Sequence, residues 1–156
     1  MVPQPDPLLD YTERFAAVLI AAGFPPMPAR VFVTLLVDDA GRLSAAELGA
    51  RLQVSPAAVS GAVRYLAPLG MVHKIRVPGT RRDYYQIPDD VWHELLRQQM
   101  TVMNRWGGLL REGMALLPSG SPGRARLTEH ADFIEFVSKE MPDVFARWEE
   151  RRATRP

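Results

Sequence analysis

The sequence predicts a mainly α-helical chain with one small β-hairpin, and three observations carry that class. Apolar residues recur at helical spacing from Tyr11 to Trp148. Two short extended runs, Met71–Val77 and Asp83–Ile87, flank the turn residues Pro78-Gly79-Thr80. Ser44-Ala45-Ala46-Glu47 and Ser55-Pro56 are helix-start signals one short helix apart.

In chain order, residues 1–7 carry three prolines and read as a frayed arm. Leu8 to Gly23 reads as a first helix, with Tyr11, Phe15, Val18, Leu19 and Ala22 on one stripe and Gly23 as its stop. A second helix is expected from Pro28 to Asp38, burying Val31, Phe32, Leu35 and Leu36, before a turn at Asp38–Gly41. The capping box opens a short helix over Ala45–Leu52, with Leu48 and Leu52 inward. Gln53-Val54 is a tight turn. Ser55-Pro56 supplies an N-cap and an N1 proline, and the next helix runs to Ala67 with Val59, Val63 and Leu66 inward. Two short helices across a tight turn have helix-turn-helix spacing. The hairpin that follows would then be a wing, with His73, Ile75 and Val77 on one face and Lys74 and Arg76 on the other.

Asp89 or Asp90 caps a long helix to about Leu117. Leu95, Val102, Leu109 and Leu116 recur every seven residues, as do Leu96, Met103, Leu110 and Leu117. Two adjacent rows make a face wider than one packing partner needs, so part of it is expected to meet another chain. Pro118–Gly123 reads as a linker. The last helix is expected from Thr128 to Arg151, with Phe133, Val137, Met141, Val144, Phe145 and Trp148 as its stripe and a kink at Pro142. The predicted organisation is an N-terminal arm and dimerisation helix (1–26), a winged helix-turn-helix (27–88) and a C-terminal helical dimerisation region (89–156). The residues assigned to the dimer are Tyr11, Phe15, Leu95, Val102, Leu109, Leu116, Phe133, Val137 and Phe145.

Charge sharpens the reading. The whole chain carries +1, but Leu48–Arg82 carries +6 with no carboxylate, between flanks of −3 and −2. A basic block on a helix-turn-helix and hairpin is the electrostatic footprint of a duplex-DNA reader. In such proteins the second helix enters the major groove. Its outward positions are Ser55, Ala57, Ala58, Ser60, Gly61, Arg64 and Tyr65. Small residues permit close approach, Ser55 and Ser60 can donate to phosphate or bases, and either alanine can touch a thymine methyl. Arg64 fits a bidentate guanine contact. Arg81 and Arg82, at the wing tip with Thr80, fit a narrow A·T-rich minor groove, and Lys74 and Arg76 the flanking phosphates.

The segment from Val31 to Ile87 resembles the winged-helix domain of MarR-type bacterial transcription regulators, most closely their GbsR-like branch. LSAAELGARLQVSPAAVSGAVRYLAPLGMV is similar to the family's Leu-Ala-type helix, its Ser-containing recognition helix and its Leu-x-x-x-Gly exit into the wing. GTRRDYYQI is similar to a wing tip that usually carries Asp-Arg-Arg, with Thr80 standing where the Asp is common. The resemblance extends over most of the chain. It implies a homodimer held by the first and last helices and a ligand pocket between dimer module and reading head.

Other chemistry finds little support. Without cysteine there is no disulfide framework, thiolate metal site or Cys nucleophile. His73, His93 and His130 show no metal-ligand spacing, and no nucleophile elbow, P-loop or dinucleotide fingerprint occurs. Trp92, Trp106 and Trp148 with Met100, Met103 and Met114 read as core or dimer surface rather than a cation cage. The N-terminus lacks a signal-peptide pattern and no apolar run is long enough to span a bilayer, so a cytoplasmic protein is expected. The function expected is therefore a homodimeric, sequence-specific duplex-DNA-binding regulator of repressor type. It is open to a small-molecule effector, needs no cofactor or metal, is not an enzyme, and acts on a pseudo-palindromic operator. The alternative is a winged-helix adaptor that binds another protein.

Overall fold

The computed structural model describes residues 7–155. They form two units, one ending at Val91 and the other beginning at Trp92. The arm expected over 1–7 lies outside the described residues except for Pro7, which opens the first helix, α1 (Pro7–Ala21). The side of α1 turned inward is Thr12, Ala16 and Leu19, spaced i, i+4, i+7. The Thr12 hydroxyl donates to the Leu8 carbonyl at 2.8 Å, which satisfies it inside. The larger residues Tyr11 and Val18 of the expected stripe stand exposed on a neighbouring side. Gly23 ends the helix in the left-handed region, φ 101°. The Phe24 N–H bonds the Leu19 carbonyl and the Gly23 N–H the Ile20 carbonyl, the pair of bonds that closes a Schellman stop.

α2 (Pro26–Leu36) begins two residues before the expected Pro28, because Pro26 already fits the first helical position. It is the central helix, with Ala29, Val31, Phe32, Val33 and Leu35 buried. Leu36, expected inside, is exposed, and the helix ends there rather than at Asp38. Gly41, φ 65°, turns the chain into β1 (Arg42–Ser44), a strand that sequence reading missed. Three residues are too short to show an alternation.

Ser44 ends the strand and starts α3 (Ala45–Leu52). Its Oγ accepts from the Glu47 N–H at 3.3 Å, and Glu47 Oε2 accepts from the Ser44 N–H at 2.7 Å. Leu48 and Leu52 are buried as expected. The turn after α3 closes so tightly that a Cβ on Gly49 would lie 3.0 Å from the Val54 carbonyl oxygen. Gln53, φ 54°, takes the left-handed position there. α4 (Pro56–Leu66) follows. Ser55 Oγ caps it by accepting from the Ala58 N–H at 3.3 Å. Val59, Ala62, Val63 and Leu66 are buried, and α4 packs on α2 and α3.

Met71 and Val72, expected as the start of a strand, are buried core residues in irregular backbone. The strand is β2 (His73–Arg76), and it pairs antiparallel with β3 (Asp83–Gln86). β1 pairs with the other edge of β3, giving a three-stranded sheet in the order β1-β3-β2. The expected hairpin is therefore anchored by a third strand, with buried Leu43 opposite Tyr85.

The second unit is a helical hairpin of α5 (Val91–Leu116) and α6 (Pro122–Ala153). α6 starts six residues before the expected Thr128. Ser121-Pro122 is the same cap-and-proline pair that opens α4, and Ser121 Oγ accepts from the Arg124 N–H at 3.2 Å. Pro142 lies inside α6 without ending it. The inward residues of α6 are Ala131 and Ile134, not the aromatic stripe. At Gly107 an added Cβ would lie 3.1 Å from Ile134 Cγ2, so the missing side chain lets these two helices approach closely.

Candidate nucleic-acid interface

α4 is positioned by its own buried side, which leaves the opposite side outward. Ser55, Ala57, Ser60 and Arg64 are exposed, and Ala58 and Gly61 half-buried. The oxygen of Ser55 already caps the helix, so what it can offer a ligand is its O–H. Tyr65 is exposed on one side but rests its ring edgewise on Phe24, with centroids 6.4 Å apart. Phe24 follows the α1 stop, and sequence spacing gave no sign that the two rings meet.

At the wing tip Thr80, Arg81 and Arg82 are exposed, and Gly79 (φ 87°) makes the turn. Thr80 Oγ1 accepts from the Arg82 N–H at 3.2 Å and lies 3.4 Å from the Arg82 carbonyl oxygen, to which it can donate. A hydroxyl therefore fixes the tip where an Asp is common in the family the chain resembles, and neither arginine side chain is tied into an ion pair by it.

The six cations of the acid-free stretch divide into those with a carboxylate partner and those without one among the described residues. Arg51 Nη2 lies 2.7 Å from Asp38 Oδ1, a carboxylate whose side chain is only 5% exposed. Lys74 Nζ lies 2.7 Å from Asp83 Oδ2, and Arg76 Nε lies 3.9 Å from Asp83 Oδ1. Both carboxylates lie outside the stretch in sequence, Asp38 well ahead of it and Asp83 directly after it, so its +6 overstates the local field. Arg64, Arg81 and Arg82 form no ion pair among the described residues. Glu47 sits near this surface with its carboxyl held below the ordinary value. Its hydrogen bonds with the Ser44 side chain and backbone do most of this, with smaller help from the charges of Arg51 and Arg82.

In the second unit the residues expected to meet another chain are uncovered to different degrees. Leu116 is 84% exposed, Leu109 64% and Phe133 61%, with Val102 also exposed. Leu95, Val137 and Phe145 are half-buried, and Phe145 lies against His93 with ring centroids 4.6 Å apart. In the first unit Tyr11 is exposed and Phe15 half-buried, their rings meeting edgewise at 6.1 Å. Trp106, for which the sequence left core and dimer surface both open, is exposed, and so is Phe136, which the sequence did not single out. Met103, Trp106, Leu110, Leu127, Phe133 and Ile134 help line an apolar groove of about 590 Å³ along the hairpin. Among the described residues no helix is long and apolar enough to cross a membrane, and no three His, Asp or Glu side chains gather as a metal site would need.

Comparison with known proteins adds to this geometry. Residues 22–83 match the profile of the MarR family, and residues 90–151 that of the MmpR5-like MarR family transcriptional regulators. The HTH-type transcriptional regulator MmpR5 of Mycobacterium tuberculosis is 25% identical over 149 residues, covering 95% of this chain and 90% of that protein. The crystal structure of a transcriptional regulator superposes with a TM-score of 0.78 at 23% identity, over 93% of this chain and 99% of that one. Sco3205 of Streptomyces coelicolor, a MarR family transcriptional regulator solved in complex with DNA, gives a TM-score of 0.44 at 18% identity, over 96% of this chain and 82% of its own. With one family's profiles matching both units in turn, and its winged helix formed by α3, α4 and the wing, the chain belongs to the MarR family of winged-helix transcriptional regulators.

Proposed function

We propose that the chain is a homodimeric repressor that reads duplex DNA with α4 and the tip of its wing. One observation carries this reading. The cations left without a carboxylate partner among the described residues of the basic stretch, Arg64, Arg81 and Arg82, are on the outward side of α4 and at the wing tip. In this reading Arg64 takes a guanine edge, a contact worth about 1–3 kcal/mol of discrimination. Ser55, Ala57, Ala58 and Ser60 lie against bases and phosphates. Arg81 and Arg82 enter the minor groove, with Thr80 setting their turn. Lys74 and Arg76 serve flanking phosphates more weakly, since each shares its charge with Asp83. Tyr65 acts mainly as a prop against Phe24.

The dimer follows from uncovered apolar surface on α1, α5 and α6. A hairpin whose inner seam is little more than Gly107, Ala131 and Ile134 leaves its largest side chains outward, and a second copy is the natural cover. Residues 1–26 and 89–156 then serve dimerisation and 27–88 serves reading. Two copies present two recognition helices, so the operator is pseudo-palindromic with half-sites roughly 34–36 Å apart. An effector that binds one dimer geometry better than another would shift occupancy, and a decisive shift needs about 5.5 kcal/mol of differential affinity. Within the family, the GbsR-like branch is the reading that the resemblance of the whole Val31–Ile87 segment supports.

Selection of bound duplexes from random DNA, followed by titration of the selected site between low and physiological salt, tests this reading. A recovered inverted repeat whose affinity falls steeply with salt is the expected result. Weak duplex binding that does not respond to salt would point instead to a protein adaptor.

A further inference from the structure

We propose that Gly61 is the point of closest approach between α4 and the floor of the major groove, and that its missing side chain sets base specificity. This rests on the DNA-reading role proposed above. α4 has only eleven residues, and Gly61 stands in its middle. A glycine there weakens the helix relative to alanine, because it gives up more backbone freedom on folding. Elsewhere the fold accounts for such a position. A Cβ on Gly49 would meet the Val54 carbonyl at 3.0 Å, one on Gly107 would meet Ile134 at 3.1 Å, and one on Gly113 would meet Leu127 at 2.9 Å. Around Gly61 nothing beyond the helix's own backbone and the adjoining residues lies within 4 Å of where a Cβ would stand. Gly108 on α5 is equally open, but it adjoins Gly107 at the close crossing with α6, whereas Gly61 has no glycine neighbour with a packing role.

The surroundings of Gly61 say what needs the space. Ala57, Gly61 and Arg64 stand at i, i+4 and i+7, one outward face opposite the buried side of Val59, Ala62, Val63 and Leu66. Gly61 lies midway along that face, between the alanine at the N-terminal end and the arginine proposed to reach a guanine. A bare backbone there lets the helix axis settle deeper into the groove. It brings both flanking side chains to base edges and leaves no room for a methyl group against a thymine methyl or an amino group. The gap is thus a shape filter for the bases beneath it.

Gly61→Ala in the full-length chain tests this, because alanine suits the helix. Duplexes recovered with the wild-type protein are titrated against both proteins, alongside a scrambled duplex, and both are melted. The variant is expected to melt at least as high as the wild type, by about 2–4 °C more. It is expected to bind the selected duplex at least tenfold more weakly, and to bind the scrambled duplex unchanged. Three outcomes overturn the inference: equal affinity of both proteins for the selected duplex, equal loss on both duplexes, or a lower melting temperature for the variant. Failure of the wild type to prefer any duplex would instead remove the DNA-reading role itself.

Discussion

Lys74 reaches Asp83 diagonally across the wing with Nζ 2.7 Å from Oδ2, while Arg76, directly opposite Asp83 in the register, lies 3.9 Å from the other oxygen of the same carboxylate. One acid on β3 therefore moderates two cations on β2, directly after the unpaired Arg81 and Arg82. Exposed pairs of this kind contribute about 0–1 kcal/mol to stability, so the carboxylate matters more for the field it lowers. Asp83→Asn should leave the unfolding free energy within about 0.5 kcal/mol of wild type. It should tighten binding to arbitrary duplex DNA and steepen the slope of log affinity against log salt by about 1–2. An unchanged slope would mean that Lys74 and Arg76 lie away from phosphate.

Asp38 and Arg51 are a different kind of pair. The Asp38 side chain is buried, its Oδ1 is held by Arg51 at 2.7 Å, and its Oδ2 has no hydrogen-bond partner. Arg51 ties the turn after α2 to the last turn of α3, ahead of the recognition helix. Removing it leaves a buried carboxylate with nothing opposite. Arg51→Ala should cost about 1–3 kcal/mol, less than a fully buried pair because Arg51 is itself half exposed. Asp38→Ala with Arg51→Ala should recover part of that loss, since no uncompensated charge then remains. Urea unfolding of the two single variants and the double variant measures the coupling.

These two pairs also mark where sequence reading reached its limit. Helix starts were legible wherever a side chain announced them: Ser44 with Glu47 and Ser55 with Pro56 each cap the helix they precede. The same signal at Ser121-Pro122 is embedded in a Pro- and Gly-rich run that reads as linker, which hides the first six residues of α6. Strand β1 was illegible because three residues carry no period, and its pairing depends on β3, forty residues away. The outward side of α4 followed directly from the spacing of Val59, Val63 and Leu66. Which cations stay unpaired did not, because Asp38 and Asp83 lie outside the acid-free stretch and meet it only through folding. In the hairpin, the stripes of large side chains do not tell which positions turn inward, because the close crossing is made where small residues allow it, at Gly107 against Ile134 and at Gly113 against Leu127.

The capping box gives stability a pH signature. The Glu47 carboxyl is held below its ordinary value, first by the Ser44 side-chain hydrogen bond and then by the backbone one. A depressed carboxyl contributes fully above its unfolded value, and the contribution is lost as pH falls through the folded value. Ser44→Ala removes the leading cause and the cap together. It should cost about 1 kcal/mol at pH 7. Part of the gap between wild type and variant should close on acidification from above to below the ordinary carboxylate range. A gap independent of pH in denaturant titrations would show that Glu47 takes no part.

Adjacent glycines on α5 should respond oppositely to alanine. At Gly107 the new Cβ would press on Ile134 Cγ2 at 3.1 Å, and Ile134 is buried and stiff at its branched Cβ. At Gly108 the new methyl would meet nothing within 4 Å. Gly108→Ala should therefore raise stability by about 0.5–1 kcal/mol through helix propensity alone. Gly107→Ala should lower it by about 1–3 kcal/mol, as overpacking does. Thermal melts of the two variants under one set of conditions decide the comparison, and two shifts of the same sign would mean the crossing is looser than its geometry implies.

Leu109 and Phe133 supply the sharpest test of the dimer. Each is more than 60% exposed, so a charge in its place disturbs little within one chain. A lone chain would accept Leu109→Asp or Phe133→Asp with a stability change of about 0.5 kcal/mol or less. If a second copy covers these residues, the same changes bury an unpaired carboxylate at an apolar interface and should cost several kcal/mol of association. Sedimentation should then show a dimer for the wild type and monomer for both variants at micromolar concentration. Binding to a two-half-site duplex should fall much further than binding to a single half-site, because only the paired heads gain from tethering. Variants that stay dimeric with unchanged operator affinity would move the interface off this face of the hairpin.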